Sequence, residues 1–337
     1  MTGEPTPADA GGELLIPPPG AEARPDPRVL PVAPVTRFAP APTGYLHLGH
    51  LVNALYVWGI AGATGGRVVL RIEDHDRQRS RAEYEAALLE DLERLGLVPD
   101  EPPITEFRAG PTPSRQSDSG PAYAAALEPL RGAGLVYACA CTRTTFAAWE
   151  AANGRAWAGI GCPGGCRERA LDEASVWSAT PSAPGLALRV AVGAGSERWL
   201  DLLAGPLADE PARGGDPLVR DRVGNWTYGF CVVVDDLRQG IGLVIRGRDL
   251  LDATPVQLRL ARLLGRATPA LFLHHPLVRR VSGQKLSKAE RDTAVREMLD
   301  AGATPAELFG RAARLAGLRS DEAPVAVPEL ATLFEAG

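Results

Sequence analysis

The stretch RFAPAPTGYLHLGHLVNAL, Arg37 to Leu55, sets two histidines three apart where a proline-rich loop turns into an apolar run. Gly44 precedes the pair and Gly49 lies inside it, and neither has a side chain to keep the backbone away from a ligand. The periodicity that follows predicts a helix from about Leu48 to Ala63. The loop therefore ends at a helix start, where unpaired N–H groups and the positive end of the helix dipole collect. Such a start receives phosphate, with His47 and His50 donating from one side of the first turn. Taken alone, H-x-G-H fits two half-buried histidines capping a helix equally well.

Outward from this loop, Pro34–Ala39 reads as a short strand, and RVVLRI (Arg67–Ile72) as a second one ending in the acidic cluster Glu73–Asp74–His75–Asp76. Ser80 and Glu83 have the spacing of a capping box, opening an amphipathic helix that stops at Gly96. Strand, helix, strand, helix in this order predicts a βαβ unit over a parallel sheet. Residues 136–220 change character, with four of the five cysteines, many Gly and Pro, and short strand-like pieces such as GLALRVAV (Gly185–Val192); they read as an insertion. The alternation resumes with WTYGFCVVVDD (Trp226–Asp236), read as an apolar strand with Cys231 in the core, and with GLVIRGRDLL (Gly242–Leu251). A helix follows, with Thr254 as N-cap, Pro255 in its first turn and Gly265 as its stop, and Thr304-Pro-x-Glu307 opens a late one.

The 337 residues, 45% hydrophobic, suffice for one large domain or two ordinary ones, and a net charge of −5 excludes a globally basic nucleic-acid coat but not a local basic face. No apolar run approaches the ~18 residues of a membrane span. The first 34 residues, rich in Pro, Gly, Ala and acids, lack the basic and apolar regions of a secretion signal and are expected to be a flexible tail. Five cysteines without such a signal point to a reducing cytoplasm, where clustered cysteines are more often metal ligands than disulfides. Cys139-Ala-Cys141 and Cys162-Pro-Gly-Gly-Cys166 put two thiol pairs on short turns, a pattern that closes a tetrahedral zinc site or fills a small core. Their confinement to 28 residues favours zinc, and four protein ligands make that zinc structural.

A second loop, GQKLSKAERD (Gly283–Asp292), places Lys285 and Lys288 just before a predicted helix; by itself it is an ordinary solvated basic turn. HLGH near the start and KLSK near the end of an α/β chain together resemble the two signature motifs of class I aminoacyl-tRNA synthetases. The resemblance implies a Rossmann-like catalytic core with a zinc-bearing insertion and short C-terminal helices. RFAPAPTG followed by RIEDHD is similar to the glutamyl branch of that family, written R-F-A-P-S-P-T-G and R-I-E-D-x-D, and the likeness continues through WTYGFCVVVDD, VIRGRDLLDATPVQ and KLSK. It divides the chain into a tail (1–34), a first core half (35–135), the insertion with its zinc knob (136–220), a second core half with the lysine loop (221–290) and a C-terminal helical segment (291–337).

What this implies for chemistry is specific. ATP with Mg²⁺ would meet His47, Gly49, His50 and Lys288, with His47, His50, Lys285 and Lys288 acting on the charge that builds as a carboxylate attacks the α-phosphate. L-Glutamate would lie against the loop Arg37, Phe38, Ala39, Pro40, Ala41, with Glu73 receiving its ammonium and Tyr228 and Arg246 completing the pocket. A guanidinium fork binds a carboxylate better than an ammonium does, and leaving one unpaired rejects glutamine. Ala41 stands where the family has serine, so any hydroxyl contact there is lost. The zinc knob of Cys139, Cys141, Cys162 and Cys166 falls where the family's insertion meets the tRNA acceptor end, with Cys162 in the place that one branch gives to tyrosine. About fifty residues follow Lys288, too few for the family's anticodon-binding domain. That shortening is similar to a branch that esterifies glutamate to the cyclopentenediol ring of queuosine in tRNA(Asp), its cleft taking the anticodon stem-loop. The expectation is a cytoplasmic, monomeric zinc enzyme of this kind. The alternatives are a shortened synthetase charging the 3′ end of tRNA(Glu), or a catalytically silent paralogue that binds tRNA or nucleotide.

Overall fold

A computed structural model describes residues 14–15, 23–157, 161–280 and 293–335. After the short β1 (Leu14–Leu15), the core opens with β2 (Val35–Phe38), α1 (Leu48–Thr64) and β3 (Arg67–Leu70). β2 and β3 run parallel, with Val35 opposite Arg67 and Phe38 opposite Leu70, and α1 is the crossover between them. Its apolar residues run nearly all round the helix, and Leu51, Val52, Leu55 and Ile60 are shut off from solvent. Gly65, in the left-handed conformation, ends it. α2 (Ala82–Leu95), α3 (Ile104–Ala109) and α4 (Gly120–Gly132) follow.

β4 (Val136–Cys139), β5 (Ala187–Val190) and β8 (Leu218–Arg220) form an antiparallel sheet of their own, with α5 (Arg143–Asn153) and α6 (Ala174–Trp177) between β4 and β5. α7 (Tyr228–Arg238), β9 (Leu243–Gly247), α8 (Thr254–Leu263) and β10 (Leu271–His275) return the chain to the core. β9 and β10 are parallel, and β10 also pairs parallel with β6 (Glu197–Asp201), whose other edge carries β7 (Gly205–Asp209). The Gly242 N–H donates to the Val35 carbonyl at 2.9 Å, bringing β9 alongside β2. The parallel strands thus lie in the order β3, β2, β9, β10, β6, a Rossmann-like arrangement in which the carboxyl ends of β3, β2, β9 and β10 face one cleft. β11 (Arg279–Arg280), α9 (Val295–Asp300), α10 (Pro305–Leu315) and a 3₁₀ turn at Val327–Leu333 complete the described chain. Gly59 lets this last turn seat on α1, since a Cβ there would come within 2.4 Å of the Phe334 ring. Among the described residues no helix is long and apolar enough to cross a membrane.

Several expectations change. WTYGFCVVVDD is a helix, α7, not a strand: Phe230 to Asp236 are buried, packed among Leu127 of α4, Val219 of β8 and Leu260 of α8. When every face of a short apolar run is covered, periodicity cannot tell the two apart. Thr304 and Glu307 do form their capping box, whereas Ser80 and Glu83 do not. α2 starts at Ala82 without a side-chain cap, and it is Asp76 that holds the preceding turn by accepting from Gln78 and Arg79. Thr254 is the first helical residue rather than the cap, because its hydroxyl serves Arg246. Within 136–220, β6 and β7 belong to the core sheet, not to a separate insertion. Part of the segment read as a flexible tail is also built in: Leu14 pairs with Arg280, Ala23 is buried, and its carbonyl accepts from the Tyr56 hydroxyl at 2.6 Å. One such anchor is invisible in an averaged composition.

Candidate active site

At the start of α1 the two histidines cap the helix reciprocally. His47 Nδ1 accepts from the Gly49 N–H and His50 Nδ1 accepts from the His47 N–H, both at 3.1 Å, and the ring centroids are 4.0 Å apart. The capping reading of H-x-G-H is met in this geometry. With Nδ1 used as an acceptor, each neutral ring carries its proton on Nε2, the atom able to donate to an anion. Gly49 is required for this: a Cβ there would lie 2.9 Å from His47 Cε1 and push the ring off the helix end.

A cleft of about 650 Å³ opens beside this turn, at the carboxyl ends of the parallel strands. Arg37, Phe38, Ala39, Pro40 and Ala41 form one wall, His47, Gly49 and His50 the next, and Glu73, Tyr228 and Arg246 close it. Lys285 and Lys288 lie outside the described residues. The wall containing Ala41 is fixed by its backbone: the Pro40 carbonyl accepts from the Glu73 N–H at 3.1 Å and the Ala41 carbonyl from the Thr43 N–H at 2.8 Å. These backbone bonds hold the loop without a hydroxyl at position 41.

Under the cleft lies a charge network whose centre the sequence reading missed. Arg71 has no exposed surface; its NH1 donates to Asp236 Oδ1 and Gln239 Oε1, both at 2.8 Å, and its Nε and NH2 reach Glu73 Oε1 at 3.3 and 3.1 Å. Arg37 donates to the same Asp236 oxygen at 3.3 Å and to the Ile245 carbonyl at 2.9 Å. Burial raises the Glu73 pKa against the pull of Arg71 and Arg37. At Asp236 burial works the same way, but Arg71 and Arg37 together overcome it and the carboxyl stays below its ordinary value. Both Arg71 bonds to Glu73 end on Oε1, so Oε2 takes no hydrogen bond among the described residues. The signal for these groups was present: Arg71 follows an apolar VVL and Asp235–Asp236 an apolar VVV, and a charge inside such a run must be paired.

Arg246 is held differently. Its Nε donates to His274 Nε2 at 3.0 Å, NH1 to Gln257 Oε1 at 2.6 Å, and NH2 to Thr254 Oγ1 at 2.8 Å and the Leu250 carbonyl at 3.3 Å. All four acceptors are neutral, and no carboxylate pairs with it among the described residues. Burial lowers its pKa, opposed by Tyr228 beside it. Of the three guanidiniums, Arg37 and Arg71 thus meet carboxylates, with Asp235 acting on Arg71 as well, whereas Arg246 has none on it among the described residues; Arg79 and Asp249 also line the cleft. His75 and Asn53, which also line the cleft, were missed as well; His75 is oriented by Gln116 at 2.7 Å.

The four cysteine Sγ atoms of the second cluster lie within 4.8 Å of one another, Cys141 and Cys166 at 3.7 Å. Zinc–sulfur bonds of about 2.3 Å in a tetrahedron set such edges at ~3.8 Å, so the cluster can hold a zinc ion. Gly164 fits the same purpose, because a Cβ there would approach Cys141 Sγ to 2.7 Å. Cys139 lies at the end of β4, and Arg189 of β5 donates to its sulfur at 3.3 Å. Cys231 is remote from this cluster, buried in α7.

The family model for the catalytic domain of class I tRNA synthetases (E and Q) matches residues 34–325. The chain belongs to this synthetase family. It is accordingly a ligase. Several glutamyl-Q tRNA(Asp) synthetases share 37–40% identity with this class I chain. That of Symbiobacterium thermophilum is 39% identical over 89% of this chain and 91% of its own length. Glutamate–tRNA ligase 2 of Methylobacterium sp. is 39% identical over 89% of this chain and 63% of its own length. Among solved structures, a glutamate tRNA ligase from Elizabethkingia meningosepticum in complex with its amino acid matches with a TM-score of 0.70 at 27% identity, over 90% of this chain and 64% of that one. The present synthetase chain spans about two thirds of that ligase's length.

Proposed function

We propose that the chain activates L-glutamate with ATP and transfers the glutamyl group to queuosine of tRNA(Asp). The observation that carries the reading is one cleft holding three things: a buried guanidinium with only neutral partners and a carboxylate oxygen without a donor, both among the described residues, and a helix start capped by two histidines. The α-carboxylate of glutamate must reach the α-phosphate, so its side-chain carboxylate falls to Arg246, with Tyr228 beside it, and its ammonium to Glu73 Oε2. The Arg37–Ala41 loop walls the amino acid.

ATP lies against the start of α1. As the α-carboxylate attacks the α-phosphorus and pyrophosphate departs, the Nε2–H groups of His47 and His50 and the N–H groups of the helix stabilise the phosphoryl charge, each good for on the order of 3 kcal/mol. Lys285 and Lys288 are assigned to the same phosphates by their motif, with Mg²⁺ carried by the nucleotide. A hydroxyl of the cyclopentenediol ring then attacks the glutamyl carbonyl and AMP leaves. The acceptor follows from the relatives named glutamyl-Q tRNA(Asp) synthetase, and a single-stranded anticodon loop with its splayed modified base suits a shaped cleft. Zinc in the Cys139, Cys141, Cys162, Cys166 site is structural, since four thiolates leave no open position.

ATP–pyrophosphate exchange with glutamate, in the absence of tRNA, tests the first half. Glutamate transfer to tRNA(Asp) lacking its 3′-terminal adenosine tests the second. Transfer that persists on trimmed tRNA and vanishes when the wobble base is unmodified guanosine fits the proposal; transfer that needs the terminal adenosine instead identifies an enzyme charging the 3′ end.

A further inference from the structure

Behind Arg246, three neighbouring strands each contribute one polar side chain to a line: Asp201 from β6, His274 from β10 and Arg246 from β9. The register sets Arg246 opposite His274, and β6 flanks β10 on its other edge. The side chains of Asp201 and His274 are 0% and 1% exposed. The Asp201 carboxylate is saturated. Oδ1 accepts from the Leu203 and Ala204 N–H groups at 3.0 and 2.9 Å, and Oδ2 from the His274 N–H at 3.2 Å and from His274 Nδ1 at 2.6 Å. An ionised carboxylate can only accept, so the imidazole proton sits on Nδ1 and Nε2 becomes an acceptor. That nitrogen takes the Arg246 Nε–H at 3.0 Å, and the Thr254 hydroxyl lies 3.2 Å from it. The Phe272 ring stacks on the imidazole with 2° between the planes and lies 5.3 Å under the guanidinium, fixing both.

We propose that Asp201 and His274 are positioning residues that set the preference of this site for a carboxylate over its amide: Asp201 fixes the tautomer of His274, and His274 fixes the orientation of Arg246. The proposal rests on Arg246 receiving the side chain of glutamate, as argued above. Its physical basis is the interposed ring. A carboxylate placed directly on Arg246 would hold it as firmly but would cancel the charge by which glutamate differs from glutamine. A neutral imidazole holds the guanidinium through Nε and leaves the charge for the substrate. In the other tautomer, Nε2–H would face the Arg246 Nε–H, two donors head on, and could turn only to the Thr254 hydroxyl that already accepts from Arg246; either way the guanidinium loses its Nε partner.

The test is ATP–pyrophosphate exchange with the full chain, measuring KM for glutamate and for ATP, and kcat/KM with glutamine in place of glutamate. Asp201→Asn offers an amide donor to Nδ1 and so favours the wrong tautomer. It is expected to raise the glutamate KM on the order of tenfold, as loss of a supporting hydrogen-bond partner does elsewhere, to leave the ATP KM unchanged, and to narrow the glutamate-to-glutamine ratio by a similar factor. His274→Leu is expected to behave alike. His274→Gln, which keeps an acceptor toward Arg246, is expected to stay close to wild type. A role confined to stability would lower the melting temperature and leave the ratio alone. Because Asp201 also caps the β6–β7 turn, the two His274 variants carry the comparison if Asp201→Asn does not fold; equal ratios in both and in the wild type overturn the proposal. Wild-type protein without glutamate-dependent exchange would overturn the reading of the cleft itself, whereas wild-type exchange with unaltered variants overturns this inference alone.

Discussion

With no exposed surface, Arg71 lies between Glu73 and Asp236 and ties two chain segments 165 residues apart. Asp236 keeps a second partner in Arg37, but Glu73 has no other ion pair among the described residues. Replacement by methionine preserves much of the volume and strands the Glu73 carboxylate; breaking a buried pair by removing one partner costs roughly 3–5 kcal/mol. Urea unfolding of Arg71→Met should show a loss in that range. Adding Glu73→Gln should restore part of it, because the second charge then no longer has to be desolvated. A double variant no more stable than the single one would mean that lost packing, not stranded charge, sets the cost. At this scale the sequence was generous with identities and silent on pairings. Arg71, Glu73 and Asp236 all stand in quoted motifs, yet nothing in RIED indicates that its first residue meets the last residue of WTYGFCVVVDD.

The histidine loop is where an element, more than a residue, carries the function. α1 begins with His47 and His50 bonded across their own backbone N–H groups, and Gly49 gives the room. Gly49→Ala should leave the fold intact, since the helix gains propensity in its first turn, and the melting temperature should move little. The displaced His47 ring should cost roughly a hundredfold in glutamate-dependent exchange, the loss seen when one preorganised donor is misplaced. Unchanged exchange would show that His47 does not serve the phosphates. Element boundaries were readable where local chemistry sets them: α1, the Gly96 stop of α2 and the Thr304 cap of α10 all fall where their residues place them. α7 was not readable, because its neighbours on α4, β8 and α8 supply the apolar surroundings that permit a helix whose residues would equally suit a buried strand.

Over the whole molecule, the cysteine cluster and the cleft belong to different sheets, and no cleft-lining residue comes from β4, β5 or β8. This separation predicts separable consequences. Purified protein should carry zinc at one ion per chain, measured by elemental analysis. Cys166→Ser, or prolonged chelation, should remove the metal and lower the unfolding temperature. Glutamate-dependent exchange should survive better than transfer to tRNA. Equal loss of both would mean that the small sheet supports the cleft directly.

By itself the sequence determined the parallel α/β core, the helix start at the histidines and the grouping of four thiols, because each rests on local spacing, on a Gly or Pro with one conformational use, or on a motif read in order. Only the tertiary structure decided which charges neutralise one another, that α7 is a helix, that Ala23 locks onto Tyr56, and that Asp201 reaches Arg246 through His274. Those outcomes depend on contacts between segments tens to hundreds of residues apart. Burial makes such contacts strong, and no spacing along the chain records them.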